Sequence, residues 1–422
     1  KSDGVGEPHL LALDPRQLRD SLPKGWGYLS YHVGRDFAIA VALTATEIRY
    51  CRLDPELGRK LLRLCARLDF QWGAAALSSV RNGMRAFPNG NGHAQIAHGK
   101  RSTNIRPDIS GGTRNGSLPG NAESLVGPRA HSDLLVRTTH GVLAEMHELL
   151  WAPLERLGLG GVRGWVVSPH GPIHRVPIHA LRGPEGFVVE RFDLSLTPSA
   201  RIWRKLAERG RSNEGGDRIW IGGVPSPHLP AVALELDQVA RILAELDPAT
   251  VTAPTAQMFR DQTHRARLIH LAAHGSLRRD NPAFSFIQMA DGPLFVHDLV
   301  DLDLTGSQVV LTACSSGRAG APVGDEWIGL ARGFLQAGAA SVVASLWPIE
   351  DGPTHELMGL YYGRLAQGDP PALALGAAMR KFMTLRPHPW HWAPFAVLGG
   401  LTVDPAQENT PHAAGSRKRG HL

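Results

Sequence analysis

At 422 residues, 43% of them hydrophobic and with a formal net charge of +6, the chain is long enough for roughly two or three domains with sizeable cores. No apolar run approaches the roughly 18–20 residues needed to cross a bilayer, no charged-then-apolar signal segment opens the chain, and the modest, dispersed positive charge argues only weakly for nucleic acid. Three cysteines argue against a disulfide framework and for a reduced, cytoplasmic setting, and twenty scattered histidines without ligand spacing predict no metal and no other cofactor.

The chain begins at Lys1 rather than Met, which reads as a piece of something longer. After an irregular lead-in, Trp26 to Ile48 alternates in β-forming residues and breaks at Gly34-Arg-Asp36, the pattern of a hairpin. Leu57, Leu61, Leu62, Leu64 and Leu68 fall near a 3.6 period and predict a helix over 54–68. Cys51 and Cys65 lie in or beside these elements and read as packed thiols. Residues 82–128 are rich in Gly, Asn, Ser, Pro and Arg and cannot bury enough surface to offset their chain entropy, so they read as a disordered insert. A broad apolar face returns over 132–157, the pattern of a second helix. A strand over 162–168 leads to a turn at Pro169-His-Gly171. His170, His174 and His179 follow spacings that fit no known ligand set. Two further strands are predicted over 187–196, and Thr197-Pro-Ser-Ala200 caps a helix to about Arg209.

The polar break at 211–217 divides a supporting region, 1–210, from a second domain, 211–403, with a disordered basic tail over 404–422. Within the second domain strands alternate with helices, which predicts an α/β fold with a mostly parallel sheet covered on both faces. Two of its strands are continuous apolar runs ending in small residues: Leu268-Ile-His-Leu-Ala-Ala-His-Gly275 and Gln308-Val-Val-Leu-Thr-Ala-Cys-Ser-Ser-Gly317. Ligands of parallel sheets sit beyond the carboxyl ends of the strands. If these two strands are neighbours, the His274 imidazole and the Cys314 thiol meet there. An imidazole beside a thiol can take its proton to make the nucleophilic thiolate, then protonate a leaving amine. The small residues leave room for a substrate backbone, and the amides of Gly275 and Cys314 are the candidate oxyanion donors. No Asp or Glu is evidently placed to orient His274, so no third member is assigned.

The segments 270–275 (His-Leu-Ala-Ala-His-Gly), 311–317 (Leu-Thr-Ala-Cys-Ser-Ser-Gly), 337–351 and 392–395 (Trp-Ala-Pro-Phe) together closely resemble the CHAT domain, a caspase-like, separase-related domain often found behind tetratricopeptide repeats. The resemblance implies a caspase–hemoglobinase fold, preceded by a degenerate copy of it or a supporting α/β region. It implies a bacterial-type cysteine endopeptidase acting on a protein substrate through a Cys–His dyad on Cys314 and His274. The family's helical repeats are not in this chain, so a regulatory partner or a repeat region elsewhere is expected to gate it. The separase-like branch places an acid after the Leu-Trp strand to receive a basic side chain; Asp351 stands at that position, with Asp325 and Glu326 as weaker candidates. The other reading of Asp351 is an N-terminal acid on the helix that follows. The alternative to an enzyme is a catalytically silent scaffold that binds a partner in the same groove.

Overall fold

The computed structural model describes residues 14–85, 128–211, 216–226, 229, 231–276, 278, 281–312, 314–315, 326–349, 351–399 and 401. Its strands in chain order are Trp26–Val33 (β1), Ala38–Leu43 (β2), Ile48–Leu53 (β3), Gly164–Ser168 (β4), Arg182–Gly183 (β5), Gly186–Phe187 (β6), Asp193–Leu196 (β7), Ile219–Gly223 (β8) and Ala249–Thr252 (β9). They continue with Leu268–Ala272 (β10), His274–Ser276 (β11), Phe286–Met289 (β12), Gly292–Phe295 (β13), Gln308–Leu311 (β14), Cys314–Ser315 (β15), Ser341–Ser345 (β16) and Phe395–Gly399 (β17).

Eleven strands form one sheet in the order β3-β2-β1-β4-β7-β17-β16-β14-β10-β8-β9. The inner strands are short and apolar: β4, β8, β10 and β17 are buried at every position, as strands covered on both faces must be. At the N-terminal edge, β2 alternates buried with half-buried residues and β3 is mostly exposed, as suits an antiparallel edge. β16, β14, β10, β8 and β9 are mutually parallel. So are β1, β4 and β7. β17 is the seam: it runs antiparallel to β16 over five residue pairs and parallel to β7, with Leu398 opposite Leu196. The two groups of strands therefore run in opposite directions, and the carboxyl ends of β8, β10, β14 and β16 share one edge of the sheet.

Helices cover the sheet. Leu57–Arg85 turns Leu57, Leu61, Leu64, Cys65, Leu68, Trp72 and Ala75 inward at helical spacing. It pairs antiparallel with Pro128–Leu150, held by Arg67–Glu145 at 2.7 Å and by Thr138 Oγ1 donating to Gln71 Oε1 at 2.9 Å. The segment 82–128 is thus helical at both its ends, over 82–85 and at Pro128; residues 86–127 and the tail over 404–422 lie outside the described residues. The hairpin around Gly34 forms as expected, with Val33 opposite Ala38. Ser199 Oγ accepts from the Ile202 amide at 3.3 Å and caps Ala200–Arg211; Thr255 caps Ala256–Thr263 in the same way. The first long helix runs on past Leu68 to Arg85, and Val188–Arg191 is a helix within the stretch read as two strands, of which Asp193–Leu196 forms. β3 is an additional strand, and the last strand, expected from Trp392 to Gly399, begins at Phe395 after a short helix, Pro389–Trp392; residues 171–180, left without an element, form two 3-10 turns.

Candidate active site

The site is assembled by three neighbouring strands. β10 lies between β8 and β14, with Leu268 opposite both Ile219 and Gln308. The two apolar runs singled out in the sequence are therefore adjacent and parallel. Past their carboxyl ends the chains continue as β11 and β15, which pair in parallel and set His274 directly opposite Cys314 and Gly275 opposite Ser315. β11 is held on its other side by β12, with Gly275 opposite Ile287, so a second sheet in the order β13-β12-β11-β15 stands over the edge of the first. The Thr312 amide donates to the Leu271 carbonyl at 3.1 Å, which carries the pairing across the gap between the sheets. Directly opposed residues of adjacent strands have Cα atoms about 5 Å apart.

His274 is half-buried, and its Nε2 lies 2.7 Å from Ser226 Oγ. Ser226 comes from the turn after β8. That strand stays paired to its end: the Val224 amide donates to the Ala272 carbonyl at 2.8 Å. Gly223 permits this close approach, since a Cβ there would stand 2.8 Å from the Ala272 carbonyl oxygen and from Val232 Cγ1. Pro225 then turns the chain out, and the Leu229 amide donates to the Ser226 carbonyl at 2.9 Å. Ser226 was not legible as a site residue. Its only sequence signal was a hydroxyl in a Pro-Ser turn three residues past a buried strand, which gains meaning only once β8 is known to adjoin β10.

Beneath the site, His270 projects from β10 into the layer between the helices Val232–Ile242 and Asp351–Leu365. Its Nδ1 is 2.9 Å from the Tyr362 hydroxyl, and its Nε2 is 3.4 Å from Glu235 Oε1. Burial pushes this imidazole down to about 3 and the Tyr362 phenol well above its ordinary value. His270 is consequently neutral and belongs to the core. Cys65 is buried and its thiol is pushed up to about 11; burial also raises Cys51. Neither supplies thiolate near neutral pH. Of the histidines after β4, His170 accepts from the Val33 amide at 3.2 Å through Nδ1, and His179 Nε2 bonds the Ala393 carbonyl at 2.8 Å. Among the described residues, no three His, Cys, Asp or Glu side chains are grouped to hold a metal, and no helix is long and apolar enough to cross a membrane.

Asp351 is the first residue of the helix Asp351–Leu365, which follows β16 at the same sheet edge as His274 and Cys314. Just before it, Trp347 stacks on Trp72 of the helix Leu57–Arg85 at 4.7 Å and 26°, and its Nε1 donates to the Trp390 carbonyl at 3.3 Å. The first half of the chain thus packs directly against one flank of the site. Asp325 lies outside the described residues, and Glu326 begins the helix Glu326–Gln336.

Comparison with known proteins agrees with this architecture. Mouse and human proteins named tetratricopeptide repeat protein 28 are each 24% identical to the chain, over 67% and 61% of its length. The chain spans only 14% and 13% of those proteins. Among solved structures, the Saccharomyces cerevisiae separase–securin complex superposes over 92% of this chain and 31% of that one, with a TM-score of 0.53 at 10% identity. The Arg-specific cysteine proteinase gingipain R aligns over 63% of this chain and 67% of that one, with a TM-score of 0.43 at 9% identity. The CHAT domain family model matches residues 140–400, well over half the chain, with both apolar strands and all of β4 to β17 inside it. By that match the chain belongs to the CHAT domain family, and its fold is the caspase-like one shared with separase.

Proposed function

We propose that the chain is a cysteine endopeptidase that cleaves a protein substrate through Cys314 and His274. The observation that carries this reading is the register of β11 against β15, which opposes the two residues at the carboxyl edge of a parallel sheet. His274 takes the thiol proton, and the Cys314 sulfur attacks the scissile carbonyl carbon. The oxyanion accepts from the amides of Gly275 and Cys314. The imidazolium then returns its proton to the leaving amine, the C–N bond breaks, and a thioester remains on the sulfur. Water, deprotonated by His274, attacks the thioester and releases the carboxylate product and the thiol. Asp351, opening a helix at the same edge, is proposed to receive a basic side chain before the scissile bond.

The region 1–210 is proposed as the support of this site, acting on it through Trp72. A chain that spans a seventh of repeat-protein relatives is further proposed to work under the control of a helical-repeat partner region, in a reduced cytoplasmic setting.

The test is covalent labelling by a peptide electrophile carrying Arg or Lys next to its reactive carbon. A single adduct on Cys314 is expected, lost in Cys314→Ala and slowed by about a hundred-fold in His274→Ala. Asp351→Ala is expected to lose the preference for a basic over an acidic probe. Labelling that ignores His274 would remove the peptidase reading and leave the silent scaffold in its place.

A further inference from the structure

We propose that Ser226 is the positioning residue of His274, the third member of the site that the sequence left unassigned. This rests on the reading of Cys314 as nucleophile and His274 as its base. Three consecutive strands of the sheet, β8, β10 and β14, lead to Ser226, His274 and Cys314 at one edge, with His274 hydrogen-bonded to Ser226 and opposite Cys314 in register.

The contact decides which ring nitrogen does the chemistry. Nε2, the distal nitrogen, is bonded to Ser226 Oγ at 2.7 Å. Nδ1, the nitrogen nearer the His274 backbone, is the one that suits a one-carbon side chain on the directly opposed residue. For Nδ1 to accept a proton, the ring proton of the neutral imidazole must sit on Nε2, which means that Nε2–H donates to Oγ. Ser226 Oγ, which can accept that N–H, supports the tautomer that can act as a base. When the Cys314 proton moves to Nδ1, the charge on the imidazolium strengthens the Nε2–H bond to Oγ, and the serine keeps its own proton throughout. A hydrogen bond that favours the charged form raises the basicity of the ring and so the share of thiolate. The turn is built for this purpose. Gly223 lets β8 pair to its end, Pro225 turns the chain out, and buried Leu229 pins the far side of the turn by donating to the Ser226 carbonyl.

The test is the pH profile of iodoacetamide alkylation at Cys314, followed on the Cys314 peptide by mass spectrometry in the full chain, with kcat and KM on a peptide substrate as a second readout. Ser226→Ala is expected to move the alkylation midpoint upward by about one pH unit, equivalent to about ten-fold less thiolate at a given pH. It is expected to lower kcat by about the same factor with KM unchanged. Ser226→Thr, which keeps the hydroxyl, is expected to restore both. Ser226→Gly serves as a second hydroxyl deletion if the alanine variant melts early. An unmoved midpoint in both deletions, with a clear shift in His274→Ala, would overturn the role of Ser226 and leave the dyad intact. An unmoved midpoint in His274→Ala as well would overturn the dyad and Ser226 together.

Discussion

Acidification from pH 7 to pH 5 is expected to remove about 6 kcal/mol of stability and to unfold much of the protein. The figure comes from the three most deeply buried of five histidines that burial holds down; His140 and His391, each pushed down to about 4, act in the same sense. His179 is held down to about 4 by burial, and His270 to about 3. His388 is held down to about 3 by burial and then by the neighbouring His391 and His140. Once unfolded, each returns to its ordinary value of about 6.5. Between 6.5 and 4 the unfolded chain therefore binds protons that the folded chain does not. Stability is full above 6.5 and falls as the pH falls through that window. Each histidine contributes about 1.4 kcal/mol per pH unit inside the window, or about 2 kcal/mol from pH 7 to pH 5. Three such groups rival a typical total stability of roughly 5–15 kcal/mol. Asp193, whose carboxyl burial pushes up, titrates in the opposite sense. Far-UV circular dichroism against pH reads the transition. His179→Gln, whose amide can still donate to the Ala393 carbonyl, should flatten the slope by one proton. A midpoint below pH 4 would show that these side chains are not held neutral by the fold.

Loss of turnover is the second large effect. Cys314→Ala is expected to lower kcat/KM on a peptide with a basic residue before the scissile bond by about 10⁴-fold or more, and His274→Ala by a similar factor. The double variant is expected to be no worse than either alone, because nucleophile and base act as one unit. No other cysteine can substitute, since Cys65 is pushed up to about 11 and Cys51 is also raised. Melting temperature measured beside the kinetics keeps folding and chemistry apart. Turnover by Cys314→Ala at the wild-type rate would place the chemistry elsewhere.

Much of this fold was written in local pattern. The apolar runs of β10 and β14, the alternation of β1 and β2, and the hydroxyl caps at Ser199 and Thr255 report on residues within a few positions of one another, where periodicity and capping chemistry act. His274 and Cys314 stood out because each ends such a run. What was not legible depends on pairing between distant segments. Nothing near β17 says that it runs against β16 yet with β7. Nothing near Trp72 says that it stacks on Trp347. Ser226 acquires a role only through the strand order. The exposed β3 was missed because Arg49, Tyr50 and Arg52 dilute its apolar signal at an edge that needs little burial.

The seam has a consequence for how the molecule is made. Among the described residues β17 is the last strand, and Leu398 waits for a partner, Leu196, that leaves the ribosome long before it. Until β17 arrives, β7 and β16 each end in an unpaired row of backbone donors and acceptors, two open edges on one nascent chain. Both close in a single step when Phe395–Gly399 is inserted between them. The two groups of strands become one sheet only when β17 is inserted, so a chain cut before Phe395 lacks the strand that joins them.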